Sequence, residues 1–417
     1  MYCNYLDTCS GNSEVPERCR VMRVGLNKSD VELPRFAAPG PRGCEVSVFI
    51  GKGFDIWLHC YFLTGLIRLA REGAIELRTM ERDSARRCLS IQRDAYPMLV
   101  LQCKRPGDGP GHIICFDAMD RSDVWQTAAL DAGDIYFKRS FHLPDTECLS
   151  PAQRRKVRPI NPMFATWGGG GAGWTTRLGA FLAGSAWRQV AAGGSTGAAV
   201  RSALRDVRTF LTLSDLERYE DTPSTPKRKE VLFQTRLWDP AEETGSWVGE
   251  CNAERVEMIR TLRRRLGSSC VGGLVPTPYA VKNHPDLLSN LTLTSKARRP
   301  EFIRLCRQFL VRVNIRALFD AVPYSLGETL AANNCMVSRT VRNSFATPLV
   351  AGRHYLGFTT PDECAEICRE LLDSDGKTRC LREESHSYYV AAVSPANAMR
   401  MYLEQAMAEG VERRGQS

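Results

Sequence analysis

The segment Val313-Asn-Ile-Arg-Ala-Leu-Phe-Asp320-Ala-Val-Pro-Tyr-Ser325-Leu-Gly-Glu328-Thr-Leu-Ala-Ala-Asn-Asn-Cys-Met-Val-Ser338 decides the fold of this chain. The apolar run Val311–Phe319 predicts a β-strand, and a proline-containing loop then opens a helix. The apolar run that begins at Cys335 predicts the next strand. Asp320 and Glu328 thus stand near the carboxyl end of the first strand, where open α/β sheets bind their ligands.

Size and composition describe an ordinary globular protein of more than one domain. The chain has 417 residues, of which 43% are hydrophobic and 25% charged. A domain commonly has about 100–200 residues, so we expect two. No apolar run reaches the ~20 residues of a membrane-spanning helix, and the first 25 residues lack the apolar core of a secretory signal.

The cysteines favour a reducing compartment. The chain has 16 of them, scattered along its length, and a chain of this size needs no disulfide framework. No C-x-x-C pair occurs, so the spacing does not indicate a zinc site. We therefore expect a cytoplasmic protein with buried thiols, without a metal or another cofactor.

Arginine-rich clusters account for the net charge of +9. They are Arg154–Lys156, Lys227–Lys229, Arg263–Arg265 and Arg298–Arg299. These positions fit a solvated surface, a peripheral contact with anionic lipid at the inner membrane, or an anionic phosphate substrate. A nucleic-acid partner is not expected, because the chain has no recognition motif and no interleaving of basic and aromatic residues.

Alternating strand and helix patterns predict the domain organisation. Residues 1–42 lack periodicity and form an N-terminal extension. Two units follow, residues 43–222 and residues 230–417, the second ending in a terminal helix. The polar, proline-punctuated stretch Asp221–Lys229 separates them. The alternation is typical of parallel, doubly wound sheets, so the predicted fold is α/β with two Rossmann-like domains.

Two polar groups near strand ends are candidates for ligand binding in the second unit. Arg236 directly follows the strand candidate Val231–Thr235, where a guanidinium can hold a diphosphate through two hydrogen bonds. Lys296 is a second candidate of this kind. Glu328 has an alternative role, because Ser325 and Glu328 have the spacing of a helix capping box.

On these residues the second unit resembles the donor-nucleotide domain of GT-B glycosyltransferases of group 1. In that family an arginine ends a strand, a lysine follows, and two acids with seven residues between them flank the start of a helix. The matching positions here are Arg236, Lys296, Asp320 and Glu328-Thr-Leu-Ala-Ala. The stretch Tyr355–Cys364 resembles the last strand and helix start of those domains. Asp320 departs from the pattern, since glutamate is usual there in retaining members.

The resemblance implies that the two Rossmann-like domains face a central cleft. It also implies transfer of a sugar from a nucleotide-diphosphate donor to an acceptor hydroxyl. Glu328 would hold the ribose hydroxyls, and Arg236 and Lys296 the diphosphate, with helix amides near Ser325. The acceptor would be a carbohydrate or lipid-linked molecule of bacterial surface polysaccharide synthesis. Two alternatives remain open on the same frame: a nucleotide-sugar epimerase, and a non-catalytic nucleotide- or carbohydrate-binding protein.

The first unit would supply the acceptor side and the base. Asp55 and His59 lie one helical turn apart, so an Asp-oriented histidine could deprotonate an acceptor hydroxyl. The alternative is that Asp55 caps the helix and that His59 belongs to its amphipathic face. Asp117 and Asp120 are rival bases, and Lys138-Arg139 could attract an anionic acceptor or be solvated charge.

Overall fold

The structure is a computed structural model that describes residues 43–49, 55–79, 98–105, 111–168, 209, 212–242, 246–291 and 299–414. The first half contains strands β1 (Cys44–Phe49), β2 (Ile75–Thr79), β3 (Leu99–Lys104), β4 (His112–Asp117), β5 (Ile135–Lys138) and β6 (Val157–Pro159). Its helices are α1 (Ile56–Arg71), α2 (Thr127–Ala132) and α3 (Pro151–Arg154).

The second half contains strands β7 (Arg228–Thr235), β8 (Cys270–Leu274), β9 (Phe309–Asn314), β10 (Cys335–Arg339) and β11 (Leu356–Phe358). Its helices are α4 (Ser246–Leu266), α5 (Pro278–Asn283), α6 (Arg299–Cys306), α7 (Tyr324–Ala331), α8 (Pro361–Asp373), α9 (Asp375–Tyr388) and α10 (Pro395–Arg414). A short 3-10 turn at Leu318–Asp320 precedes α7, and a π-helical turn at Tyr389–Val393 joins α9 to α10.

The first sheet has the strand order β2-β1-β3-β4-β5-β6 and is mixed. Strand β3 runs antiparallel to both β1 and β4, and the other described pairs are parallel. The prediction of an all-parallel sheet is therefore wrong for β3. The reason is the short connection between β3 and β4, residues 105–111, since a parallel crossover needs a dozen or more residues.

The second sheet has the order β11-β10-β9-β7-β8, and all its described pairs are parallel. The chain first adds β8 on one side of β7 and then places β9 on the other side. The sheet therefore reverses its direction of growth between β7 and β9, which defines a topological switch point. The two-sheet α/β fold class predicted from the sequence is confirmed.

The two halves share one hydrophobic core, which extends from the first sheet to α7 and α10. Tyr402 of α10 packs against Phe116 and Phe137 of the first sheet, with ring centroids 5.8 Å and 4.8 Å away. Gly65 of α1 makes this approach possible, because a Cβ there would lie 2.2 Å from the Pro395 carbonyl oxygen. The terminal helix thus covers the first sheet, although the sequence placed it with the second unit.

Buried cations fix the connection between the halves to the second unit. Lys227 Nζ donates to the Asp221 carboxylate at 2.7 Å and to two backbone carbonyls. Arg382 of α9 donates to the carbonyls of Thr222 and Thr225 at 3.0 Å and 2.9 Å. The predicted domain boundary lies in this ordered stretch.

Candidate functional site: the carboxyl edge of the second sheet

Arg236 follows β7 and reaches the edge of the sheet at the switch point. Its guanidinium lies 3.9 Å from the centre of the Trp238 ring, and the residue is exposed. Two side chains of helix α4 form hydrogen bonds with the backbone of Arg236 and Trp238. Arg255 Nη1 donates to the Arg236 carbonyl at 2.7 Å, and the Asn252 amide accepts from the Trp238 N–H and donates to its carbonyl.

Asp320 lies in the loop that follows β9, on the other flank of the switch point. Phe319 and Asp320 both have left-handed backbone angles, with φ of 57° and 54°. Non-glycine residues adopt this region rarely, and such strain concentrates at functional loops. The Phe319 ring packs 4.9 Å from Trp247 of α4 and 5.4 Å from the guanidinium of Arg121, which comes from the first half.

The Asp320 carboxylate belongs to a row of alternating charges that runs along this edge. Arg316 Nη1 donates to Asp320 at 3.2 Å, and Arg342 Nη1 lies 3.7 Å from the same carboxylate. Arg316 Nε and Arg339 Nη1 both donate to Glu254 at 2.7 Å. The Asp320 side chain remains 37% exposed, so this charge row borders solvent.

Glu328 lies elsewhere, in a buried ion cluster. Its two carboxylate oxygens accept hydrogen bonds from Arg299 of α6 and from Arg312 of β9, the latter at 2.9 Å, and its side chain is only 7% exposed. Burial alone would raise the pKa of Glu328, but the charges of the two arginines outweigh it and hold the pKa below its ordinary value. Arg299 also stacks on Trp57 of α1 at 4.8 Å.

The capping-box alternative for Ser325 and Glu328 is wrong. Pro323 occupies the N-cap of α7, and no side chain caps this helix. The helix begins two residues earlier than the capping box requires, so Glu328 faces Arg312 on the neighbouring strand instead of the first turn. Ser325 lies in that first turn, and its carbonyl accepts from the Thr329 hydroxyl at 2.6 Å.

The structure therefore brings Arg236 and Asp320 to one edge and separates Glu328 from them. Helix α4 links the first two, since Arg255 contacts the Arg236 carbonyl and Glu254 contacts Arg316 beside Asp320. Glu328 is enclosed by its two arginines further back along β9. Lys296 lies outside the described residues. The binding roles of these residues stay predictions.

The Asp-oriented histidine predicted in the first half is not formed. The Asp55 carboxylate instead caps α1, accepting from the backbone N–H groups of Trp57 and Leu58 at 2.8 Å and 3.3 Å. His59 Nδ1 lies 2.8 Å from the backbone carbonyl oxygen of Asp55. Complete burial lowers the pKa of His59 to about 4, so its imidazole is neutral at pH 7. Its role as a base stays a prediction.

The rival bases have internal partners. Asp117 is fully buried and accepts from Lys138 Nζ at 2.7 Å and from the Tyr136 hydroxyl at 2.5 Å. Asp120 pairs with Arg139, whose guanidinium is nearly buried at the contact between the halves. Lys138 and Arg139 are thus structural cations here, and the interpretation as plain solvated charge is wrong.

The predicted N-terminal extension, residues 1–42, lies outside the described residues. Among the described residues, no group of three or more His, Cys, Asp or Glu side chains is placed to hold a metal ion. No helix in the described part of the chain combines the length and the apolarity needed to cross a membrane.

The sequence analysis did not identify the arginines that pair with the acids in the charge row and in the buried ion cluster around Glu328. Arg316 follows β9 by two positions, so its place at the edge could have been inferred as it was for Arg236. Arg312 lies inside an apolar strand, where a charge requires a buried partner. A buried arginine in a strand indicates an ion pair, but the sequence does not indicate that Glu328 is its partner.

Comparisons with known proteins give structural matches only. No protein-family model and no curated protein matches the chain. Among solved structures, a C-terminal domain of a glycosyl transferase group 1 protein from Francisella tularensis matches 42% of this chain and 96% of its own, at 8% identity and a TM-score of 0.28. HepE of Anabaena in complex with UDP matches 84% of this chain and 89% of its own, at 11% identity and a TM-score of 0.38.

A putative UDP-N-acetylglucosamine 2-epimerase from Listeria monocytogenes is matched over 86% of this chain and 95% of its own, at 9% identity and a TM-score of 0.39. The Francisella and Listeria proteins are of the two kinds that the sequence resemblance and its epimerase alternative name. All three TM-scores lie below 0.5, so the matches carry no argument for function. That argument rests on the residues at the carboxyl edge of the second sheet.

Proposed function

We propose that this chain is a glycosyltransferase that moves a sugar from a nucleotide-diphosphate donor to an acceptor hydroxyl. The bond between the anomeric carbon and the diphosphate oxygen breaks, and a bond from that carbon to the acceptor oxygen forms. The acceptor proton passes to a base, and the nucleoside diphosphate leaves with the bonding electrons. The sequence resemblance supports this reaction class.

One observation carries the proposal: the predicted donor residues follow the two strands that flank the switch point of a parallel sheet. Arg236 comes after β7, and Asp320 and the start of α7 come after β9. Parallel α/β sheets bind nucleotides in the crevice at this position. Arg236 would hold the diphosphate, assisted by backbone amides at the start of α7 near Ser325.

The charge row gives this edge the means to stabilise a leaving diphosphate. Arg316, Arg339 and Arg342 are shared among three carboxylates, Asp320, Glu254 and Glu250, within 4 Å. Arg236 adds a fourth guanidinium at this edge of the sheet. Fixed cations that face a developing negative charge are among the largest contributions to catalysis. Asp320 would meet the hydroxyls of the transferred sugar.

Glu328 enters the proposal with one condition. A carboxylate that holds ribose hydroxyls needs a free oxygen lone pair facing the nucleotide. Here Arg299 and Arg312 each donate to one oxygen, and the Glu328 side chain that they enclose is only 7% exposed. The Arg299 side chain is 24% exposed and borders Trp57, so it is the partner that a nucleotide could displace. A role for Glu328 in ribose binding therefore requires Arg299 to move.

Nucleotide binding is the first test. The purified chain is titrated with UDP, GDP, ADP and CMP by calorimetry and by thermal shift. A ligand at 100 times its dissociation constant should stabilise the fold by about 2.7 kcal/mol. Arg236→Met should weaken binding by about tenfold or more, since hydrogen bonds to charged groups contribute about 1.5–3 kcal/mol. Arg260→Met, at an exposed position of α4, is the matched control and should bind as the wild type does.

Turnover separates the possible activities. Radiolabelled UDP-, GDP- and ADP-sugars are incubated with the protein and a panel of carbohydrate and lipid-linked acceptors. Label in the acceptor or, by slow hydrolysis, in the free sugar supports the proposal. Interconversion of the nucleotide sugar without release of nucleotide would identify an epimerase instead. Tight binding with neither product would mark a non-catalytic binding protein.

A further inference from the structure

The backbone N–H and carbonyl groups of Val322 both form hydrogen bonds with two consecutive residues of the first half. Arg139 Nη2 donates to the Val322 carbonyl at 2.6 Å, and the Val322 N–H donates to Ser140 Oγ at 3.1 Å. Arg139 and Ser140 directly follow β5, and both are nearly fully buried. We call this pair of contacts the Val322 clamp.

Val322 lies between the two parts of the proposed donor site. It comes two residues after Asp320 and immediately before Pro323, the N-cap of α7. Its side chain is buried in the core shared by the halves. The clamp therefore fixes the point from which the Asp320 loop and the first turn of α7 both extend.

The loop needs an external support of this kind. Phe319 and Asp320 are consecutive non-glycine residues in the left-handed region. Such conformations cost energy and persist only where the surrounding structure over-determines them. Ser140 also has a left-handed backbone, with φ of 54°, so the clamp itself includes a strained residue.

Further contacts join the same strand end to the second half. The Arg139 guanidinium stacks 4.2 Å from the centre of the Tyr324 ring, in the first turn of α7. Asn343 Nδ2 donates to the Ser140 carbonyl at 2.7 Å, and the Ser344 N–H donates to the Phe141 carbonyl at 2.9 Å. The Val322 clamp thus lies at the centre of a set of contacts between the carboxyl end of β5 and the Asp320 loop.

We propose that Arg139 and Ser140 are positioning residues, which set the Asp320 loop and the start of α7 for donor binding from the opposite half of the molecule. The consequence for donor binding rests on the proposed function, but the clamp itself does not. Neither residue is proposed to touch the donor. Loss of the clamp should therefore loosen the loop and weaken nucleotide binding without removing a ligand.

Ser140→Gly and Ser140→Ala form a matched pair of variants. Both remove the acceptor of the Val322 N–H. Glycine occupies the left-handed region without a steric cost, whereas alanine keeps that strain. Ser140→Gly should therefore unfold at a higher temperature than Ser140→Ala, although both lose the same hydrogen bond. A variant that is as stable as the wild type and still binds donor poorly would separate positioning from general damage.

Hydrogen–deuterium exchange of the full chain measures the clamp without reference to function. In Ser140→Gly we expect amides of residues 318–326, Val322 above all, to exchange at least tenfold faster than in the wild type. Arg139→Lys should accelerate the same segment, because a single ammonium cannot reproduce the contacts of the guanidinium. Tyr389→Phe, which deletes a 2.8 Å hydrogen bond to Glu220, is the control and should leave this segment unchanged.

Nucleotide affinity then tests the consequence. We expect Ser140→Gly to raise the dissociation constant of the best-binding nucleotide about tenfold, and to raise the donor KM more than it lowers kcat. Unchanged exchange in both Ser140→Gly and Arg139→Lys would refute the clamp. Faster exchange with unchanged affinity would refute positioning. A wild type that binds no nucleotide refutes the proposed function, while exchange still decides the clamp.

Discussion

Asp320 and Glu328 come from one short motif, and each lies between two arginines, yet one borders solvent and the other is buried. Asp320 is 37% exposed and shares its carboxylate between Arg316 and Arg342, in a row of charges at the edge of the sheet. Glu328 is 7% exposed and enclosed by Arg299 and Arg312. Spacing along the chain placed both acids near one strand, but it did not determine which one faces solvent.

The comparison teaches that the two carboxylates have different principal tasks. An exposed ion pair contributes little to stability, and its charges stay available to a ligand. A buried carboxylate between two arginines is costly to disturb, because removing it leaves uncompensated charge in a low-dielectric interior. We therefore expect Glu328 to dominate stability, and Asp320 to affect mainly the binding of ligands.

The largest effect is expected for Glu328→Gln. The side chain keeps its shape but loses its charge, so Arg299 and Arg312 remain buried without a counter-ion. Breaking a buried ion pair in this way typically costs about 3–5 kcal/mol. Urea denaturation should show a clearly lowered midpoint relative to the wild type. A midpoint equal to that of the wild type would mean that Glu328 is not held as the structure places it.

Acid titration sharpens the comparison with a smaller effect. The pKa of Glu328 is depressed in the fold, so its stabilisation is complete above the unfolded value of about 4.3 and is lost as the pH falls through the lower folded value. His59 acts in another window. Its pKa falls from 6.5 to about 4 on burial, so folding loses stability as the pH drops from 6.5 to 4.

The two windows make a direct measurement possible. Between pH 6.5 and 4 the His59 contribution is on the order of 3 kcal/mol, at 1.36 kcal/mol per unit of pKa shift. Unfolding free energies of the wild type and Glu328→Gln should fall in parallel over that range. Below it the wild type should lose more stability than the variant. Burial also lowers the pKa of His354 to about 4, so His59→Asn should remove only part of the slope in the upper window. A slope equal to that of the wild type would assign the loss to other groups.

The smallest effect on stability is expected for Asp320→Asn. Exposed ion pairs contribute about 0–1 kcal/mol, and asparagine tolerates the left-handed backbone at this position. Raising the salt concentration should shrink even this difference, since mobile ions screen exposed charges. Nucleotide-sugar affinity, measured by calorimetry, should nevertheless change severalfold. A variant destabilised as strongly as Glu328→Gln would remove the distinction between the two carboxylates.

The local elements could be predicted from the sequence because each depends on short-range patterns. Helix α1 begins and ends where its apolar spacing indicates, and β8 matches its apolar run. The unit β9–α7–β10 is present, although β9 ends at Asn314 and not at Phe319. Helix α9 was not predicted, because its polar composition hides the few positions that face the core.

The partners of each charge could not be predicted, because they come from distant parts of the chain. Glu328 meets Arg312 from 16 positions away and Arg299 from 29. Asp55 lies one helical turn from His59, but its carboxylate accepts hydrogen bonds from backbone N–H groups at the start of the helix instead. Arg236 was placed correctly at a strand end, since that inference needed only the order of elements. The contacts that hold it, from Arg255 and Asn252, depend on tertiary packing.

The return of α10 to the first sheet has a consequence for anyone who exchanges parts of this molecule. A cut at the connection between residues 221 and 229 would strip the first sheet of the helix that covers Phe116 and Phe137. The transplantable module is therefore the second sheet from Arg228, where β7 begins, to about Ser394, inserted into a host that keeps residues 395–414. A chimera that moves α10 with the second sheet should expose the aromatic face of the first and aggregate.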